Sequence, residues 1–422
     1  MVEKITMLAG KRIVLGVTGS IAVYKAVDLA SKLTQGGALV DVIMTDAAQR
    51  FVTPLTFQAV TGRAVYTDLW RTDAGGGLPT HIAHVGLAEG AALFMIAPAT
   101  ADTLARLANG FAGDLLAVTA LATDPSRTPL VIAPAMDGTM YAHPAVAANV
   151  ETLKSRGAVI IEPEMGRFAS GLVGKGRLPE TPTLIGAVRA VLGRHSGSLR
   201  GRSIVVTAGG TREPIDPVRY ITNRSSGKQG YALAQAAVDA GADVTLITSA
   251  RLDAPYGAAV ITVESARELH DAVLEHTAKA DALIMAAAVA DFRAKTVAAN
   301  KIKKKDDGAG LTIEMERNPD ILAAVKDARE ARRGKHKFPR VVVGFAAESQ
   351  DVLNYAQDKL KRKGLDLLVA NDISAGDAGF EVDTNRVMIL DSDGGVEKLD
   401  LMSKALVGEA VIARVARLLE QA

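Results

Sequence analysis

Apolar and polar positions recur along this chain in two periods. Runs rich in β-branched residues, KRIVLGVTGS (Lys11–Ser20) and GGALVDVIMT (Gly36–Thr45), read as buried strands, and IAVYKAVDLASKLTQ between them carries apolar residues at helical spacing. Strand, helix, strand is a βαβ unit. The same order returns from residue 201: GRSIVVTAGGT, a long loop, the helical QGYALAQAAVDAGA, then DVTLITSA. Further apolar runs alternate with helical patterns in both halves, AALFMIAPA, TPLVIAPAM and GAVIIEP first, then DALIMAAAVADF, RVVVGFAAE and LDLLVANDI. Strands that are apolar throughout belong in a parallel sheet covered on both faces. The pattern predicts an α/β protein of two doubly wound, Rossmann-like domains over residues 1–192 and 204–422. LGRHSGSLRGRS, polar and rich in Gly and Ser, places a linker at 193–203.

Composition narrows the function classes. Of 422 residues, 48% are apolar and 23% charged, which supports large cores and excludes global disorder. The formal net charge of +2 gives no basic field, so no nucleic-acid partner is expected. Cysteine is absent, which removes disulfides, thiolate metal sites and Cys nucleophiles. The N-terminal stretch lacks a basic region followed by an apolar one, and no apolar run reaches the ~18 residues of a membrane span. A soluble cytoplasmic protein with no membrane partner is expected.

In the first half, GVTGSI (Gly16–Ile21) sits at a strand-to-helix turn. Gly19 permits close backbone approach, and the amides of Ser20 and Ile21 at the helix start can hold a phosphate. The turn lacks full G-x-G-x-x-G spacing, so a packing turn is an equal reading. Thr45 ends the next strand and faces the same crevice. PATADT (Pro98–Thr103) and PAMDGTM (Pro134–Met140) put small residues and hydroxyls at two further carboxyl strand ends.

These segments, with GRFASGLVGKGRLPE, resemble the flavin-mononucleotide-dependent cysteine decarboxylases, in particular those acting on phosphopantothenoylcysteine. The resemblance spans about residues 10–180 and implies a flavodoxin-like flavoprotein domain. It implies FMN held by Gly19, Ser20, Ile21, Thr45 and Thr100, and a catalytic His84, with His81 one helical turn away as the fallback. The implied reaction oxidises the thiol-bearing carbon of the substrate, so that its carboxylate leaves as carbon dioxide, and ends at 4′-phosphopantetheine. Two positions depart from the family. Asp137 stands where an Asn commonly holds the substrate carboxylate, and Ser170 where a Cys commonly donates the last proton.

In the second half, TAGGTREPIDPVRYITNRSSGKQG (Thr207–Gly230) is the most distinctive stretch. Arg212, Arg219 and Arg224 can fork onto carboxylates or phosphates. Ser225, Ser226 and Gly227 precede a helix and form an anion site at its positive end. It is not a P-loop, since Gln229 follows Lys228 where Ser or Thr is needed. The Lys run in NKIKKKDDG (300–308) and RRGKHK (332–337) read on their own as solvated surface.

With AAAVADF, NPDI and GFAAE, this half resembles phosphopantothenate–cysteine ligase, which in many bacteria is fused behind the decarboxylase. The resemblance runs from about residue 201 to the end. It implies that CTP activates the carboxylate of 4′-phosphopantothenate and that cysteine then displaces CMP. It places Asn223 on the acyl-cytidylate and Lys301 against the charge on the transferring phosphate. CTP contacts would fall to Met285, Ala286, Ala287, Asp291, Lys301, Asn318, Pro319, Asp320, Ile321, Phe345, Lys359 and Lys363, with Mg2+ bridging the triphosphate. No residue is assigned as a metal ligand. The two families together imply a bifunctional enzyme of coenzyme A biosynthesis, a homo-oligomer of trimeric decarboxylase and dimeric ligase domains closing into a dodecamer. A second reading keeps the ligase and leaves the flavin domain for assembly, with Asp137 and Ser170 as its support.

Overall fold

The computed structural model describes residues 5–70, 82–168, 171–303, 310–331, 338–348, 352–372 and 382–421. The chain divides into two compact units, Met1–His195 and Ser196–Ala422.

The first unit opens with β1 (Arg12–Val17), α1 (Val23–Gln35), β2 (Leu39–Met44), α2 (Asp46–Gln49), α3 (Pro54–Thr61) and β3 (Val65–Tyr66). It continues through α4 (Ala83–Glu89), β4 (Leu93–Ala99), α5 (Ala101–Asn109), α6 (Leu115–Ala122) and β5 (Leu130–Pro134). Then come α7 (Gly138–Tyr141), α8 (Pro144–Ser155), β6 (Val159–Ile160), the hairpin β7 (Glu164–Arg167) and β8 (Val173–Arg177), and α9 (Thr181–Ser196). Six parallel strands run in the order β3-β2-β1-β4-β5-β6. The order reverses between β1 and β4, which opens a crevice at their carboxyl ends. β1 and β4 are buried almost throughout, as strands covered on both faces must be. The last turn of α9 continues past residue 193, so the polar 193–203 stretch begins helical.

The second unit contains β9 (Ser203–Ala208), β10 (Arg212–Pro214), β11 (Tyr220–Thr222), α10 (Lys228–Asp239), β12 (Asp243–Thr248), β13 (Ala259–Thr262) and α11 (Ala266–Thr277). Next are β14 (Ala282–Met285), β15 (Phe292–Ala294), β16 (Met315–Arg317), α12 (Ile321–Ala331), β17 (Val341–Glu348) and α13 (Val352–Lys363). It closes with β18 (Leu367–Asp372), β19 (Thr384–Asp391), β20 (Val396–Ser403) and α14 (Lys404–Gln421). Its eight-stranded sheet runs β13-β12-β9-β14-β17-β18-β19-β20. β18, β19 and β20 pair antiparallel, extending an otherwise parallel, doubly wound sheet. The core pairs Val205, Leu283 and Val342 of the sheet with Leu269, Val273 and Val325 of α11 and α12. The reversal falls between β9 and β14.

Candidate functional sites

In the first unit the crevice is a cleft of about 1060 Å³ lined by Thr18, Gly19, Ser20, Thr45, Thr100, Thr103 and Met136 among others. Its floor is fixed by Thr18, whose buried hydroxyl donates to the Pro98 carbonyl at 2.7 Å and accepts from the Thr100 amide at 3.0 Å. That pair ties the ends of β1 and β4 together. A Cβ on Gly19 would stand 2.4 Å from the Ala47 methyl, so only glycine lets the two loops meet. Thr45 and Thr100 cap α2 and α5, accepting from the amides of Ala48 at 3.3 Å and Thr103 at 3.4 Å. The Ser20 amide donates to the Thr18 carbonyl at 2.8 Å, and the Ser20 hydroxyl accepts from the Ala22 amide at 3.3 Å.

Beside this cleft, sharing Ser20, Ala135 and Met136 with it, a cavity of about 490 Å³ is lined by Lys25, Asp137, Arg167, Phe168 and Arg177. Asp137 caps the short α7, accepting from the Thr139 amide at 3.1 Å and hydroxyl at 2.9 Å. Buried Lys25 donates to the Leu178 carbonyl at 2.9 Å and to Glu180 at 2.7 Å, pinning the exit of β8. The β7–β8 hairpin lies on the end of β5 because glycines leave room for the Phe168 ring. A Cβ on Gly174 or Gly176 would lie 3.1 Å from that ring, and on Gly176 only 2.2 Å from the Met136 carbonyl oxygen. The Gly176 carbonyl accepts from the Met136 amide at 3.0 Å. Glu162 holds the hairpin from outside, accepting from Lys175 at 2.8 Å and from the Tyr141 hydroxyl at 3.1 Å. Burial, reinforced by Glu162, raises the Tyr141 phenol above its usual range, and Lys175 holds the Glu162 carboxyl below its own. His84 lies in the first turn of α4, half-buried, and is not among the lining residues of the cleft. Ser170 and His81 lie outside the described residues.

In the second unit a cleft of about 950 Å³ collects Met285, Ala287, Asp291, Asn318, Pro319, Asp320, Ile321, Phe345, Lys359 and Lys363. Ala286 faces a smaller neighbouring pocket. Lys359 and Lys363, one turn apart on α13, both reach inward: Lys359 donates to the Phe345 carbonyl at 2.8 Å and Lys363 pairs with Asp320. Burial alone would raise the Asp320 carboxyl; the Lys363 hydrogen bond and the Ala323 amide outweigh it and hold it below the usual range. The Asn318 side chain is spent on the scaffold, donating to the Ala290 carbonyl at 2.8 Å and accepting from Arg293 at 3.0 Å. Asn223, exposed, donates to the carbonyls of Ala288 at 3.3 Å and Val289 at 3.1 Å, bracing the chain that leaves β14.

Arg219 does not reach for a ligand within the described chain. It forks onto buried Asp216 at 2.5 Å and 3.0 Å and donates to the Ile302 carbonyl at 2.8 Å. Asp216 in turn accepts the Ile302 amide at 3.1 Å. The knot therefore grips both backbone groups of the residue after Lys301, which is itself exposed and outside the cleft lining. The Arg219 hydrogen bond, with the backbone amides, drives the Asp216 carboxyl far below its usual range.

Two doubly wound units, each with a cleft at the carboxyl ends of its strands, define a tandem Rossmann-like protein. The family described as Flavoprotein matches residues 1–193, and that described as DNA/pantothenate metabolism flavoprotein C-terminal domain matches residues 199–419. The coenzyme A biosynthesis bifunctional protein CoaBC of Bacillus subtilis (strain 168) is 47% identical, over 98% of this chain and 99% of its own. The CoaBC proteins of Mycobacterium tuberculosis (strain ATCC 25618 / H37Rv) and Vibrio vulnificus (strain CMCP6) are 48% and 45% identical, covering 95% and 98% of this chain and 95% and 99% of theirs. The solved C-terminal domain of a CoaBC protein is 38% identical over 54% of this chain and 100% of its own, with a TM-score of 0.44. The chain belongs to the family of coenzyme A biosynthesis bifunctional proteins. Among the described residues no helix is long and apolar enough to cross a membrane.

Proposed function

We propose that the second unit joins 4′-phosphopantothenate to cysteine at the expense of CTP, and that the first then decarboxylates the product with FMN. The observation that carries the ligase reading is the 950 Å³ cleft, where two lysines, two carboxylates and the NPDI turn converge on the ends of β14 and β17. Lys359 and Lys363 would neutralise the triphosphate, and Asp291 and Asp320 would offer hard oxygen donors to a Mg2+ ion, which would supply further charge neutralisation. Among the described residues no cluster of three or more His, Asp or Glu stands ready to hold an ion alone. The pantothenate carboxylate attacks the α-phosphorus and pyrophosphate leaves. The cysteine amine then forms the amide as the acyl–phosphate bond breaks and CMP departs. Asn223 would hold the acyl-cytidylate, and Lys301, steadied by the Asp216–Arg219 knot, would meet charge on the transferring phosphate.

Flavin fits the first unit because its cleft of about 1060 Å³ is lined by the small and hydroxyl-bearing Gly19, Ser20, Thr45 and Thr100 at the carboxyl ends of the strands. FMN, when bound, supplies the electron sink for oxidising the thiol-bearing carbon. The chain's own residues do the rest. Gly19, Ser20, Ile21, Thr45 and Thr100 bind; Arg167 and Arg177 attract the acidic substrate into the adjoining cavity; the hairpin excludes water. His84 would serve as base and Asp137 would face the substrate carboxylate, with Ser170 in the sequence position of the family's proton donor. We propose the dodecamer, since trimeric and dimeric contacts on one chain close into a symmetric shell. Pyrophosphate exchange tests the nucleotide reading: exchange into CTP should require 4′-phosphopantothenate and fall at least ~100-fold in Lys363→Met. Exchange that ignores CTP would overturn it.

A further inference from the structure

The cavity beside the flavin cleft carries positive charge that the chain itself leaves unbalanced. At about 490 Å³ it falls within the roughly 300–1,000 Å³ of small-ligand sites, and its charged lining residues are Lys25, Arg167 and Arg177 against Asp137. Lys25 is engaged: buried, it donates to the Leu178 carbonyl and to Glu180. Arg177 reaches the same Glu180 carboxylate at 3.4 Å, a long contact between exposed groups that holds it weakly. Asp137 turns back to α7, where one oxygen accepts both the amide and the hydroxyl of Thr139. Arg167, exposed at the end of β7, makes no hydrogen bond or ion pair among the described residues.

The hairpin brings the two arginines together. Arg177 reaches across from β8 to lie over Gly166, where an added Cβ would meet its side chain at 2.4 Å and its guanidinium at 2.8 Å. Gly166 is the immediate neighbour of Arg167. Lys25 and Arg177 thus share one carboxylate and Arg167 has none, so this wall lacks an anion. Planar guanidinium forks match the oxygens of phosphates and carboxylates.

The neighbouring cleft decides which end of the substrate lies here. The cavity meets it at Ser20, Ala135 and Met136, while Lys25, Arg167 and Arg177 are absent from its lining. The reacting carbon and its carboxylate must sit at that junction, against the flavin. The 4′-phosphate is at the other end of the molecule, within reach of the arginines. A phosphate dianion balances two guanidiniums, whereas a carboxylate balances one.

We infer that Arg167, with Arg177 beside it, binds the 4′-phosphate of the decarboxylase substrate and makes the first unit selective for the phosphorylated molecule. The inference deepens the decarboxylase reading and rests on it.

The test is decarboxylation of 4′-phosphopantothenoylcysteine and of pantothenoylcysteine by the full-length protein. The wild type should favour the phosphorylated substrate by at least ~10-fold in kcat/KM, mainly through KM, and Arg167→Gln should shrink that preference about ten-fold. Arg167 is exposed and without internal partners, so the variant should fold and keep its flavin absorbance. An equal loss on both substrates would put Arg167 on the carboxylate; loss of flavin with the preference intact would put it on the flavin's own phosphate. Either result overturns the assignment, as does a wild type indifferent to the phosphate or a variant whose preference is undiminished. If the wild type decarboxylates neither substrate, the decarboxylase reading falls, and calorimetric titration with 4′-phosphopantetheine and pantetheine decides the site. A phosphate preference that Arg167→Gln reduces about ten-fold upholds it; one left unchanged, or no preference, overturns it.

Discussion

Gly19 and Asn223 show how much single residues carry. At Gly19 a methyl would stand 2.4 Å from the Ala47 side chain, so Gly19→Ala must push α2 away from the β1 turn. Overpacking of this kind costs about 1–3 kcal/mol. The purified variant should therefore melt lower and carry less flavin, read from its visible absorbance, while ligation stays at the wild-type rate. Asn223 is exposed and braces two carbonyls of the chain leaving β14, so removing it costs little stability. Asn223→Ala should keep its melting temperature within about 1 kcal/mol of equivalent stability and lose ligation by ~100-fold or more. Normal ligation in that variant would remove Asn223 from the site. Asp216 gives a pH signature. Its carboxyl is depressed, so its contribution is complete above the ordinary carboxylate pKa of about 3.9 and fades as pH falls below it. The melting-temperature gap between wild type and Asp216→Asn should be constant from neutral pH to about 5 and shrink below about 4.

At the scale of elements, the β7–β8 hairpin is the part whose position depends most on shape. Gly138, Gly174 and Gly176 around Phe168, with the Met136–Gly176 hydrogen bond, let it lie flat on the end of β5. Gly176→Ala, whose new methyl would meet the Met136 carbonyl oxygen at 2.2 Å, should lift the hairpin. Decarboxylation should drop at least ~10-fold with flavin absorbance retained, a split that a general folding defect would not give. The strands and helices themselves were legible in the sequence, because period two and period 3.6 are set by local geometry and both sheets bury apolar runs on two faces. Cleft residues at strand ends were legible for the same reason: Thr100 after β4, Met285 to Ala287 after β14 and Phe345 in β17 all follow from where the apolar runs stop. What stayed hidden depends on partners distant in sequence. Arg167 and Arg177 both stand in GRFASGLVGKGRLPE, yet they meet Lys25 of α1 in one cavity wall only through the fold. The bracing role of Asn318 and the Asp216–Arg219 grip on Ile302 likewise need pairs that no local pattern marks.

At the scale of the whole molecule, each unit has its own sheet, core and cleft, so each should fail alone. His84→Asn should stop carbon dioxide release and leave amide formation untouched, and Lys301→Gln should stop amide formation with flavin absorbance intact while still releasing carbon dioxide from supplied phosphopantothenoylcysteine. The alternative, a flavin unit kept only for assembly, makes the His84 variant indistinguishable from wild type in every product. The most direct test is a single incubation of the purified protein with 4′-phosphopantothenate, cysteine and CTP, with products followed by mass. The account predicts that CMP, carbon dioxide and 4′-phosphopantetheine form together, with the cysteine amide as intermediate and accumulating in His84→Asn. Amide that is never decarboxylated by the wild type, or no amide at all, would contradict it.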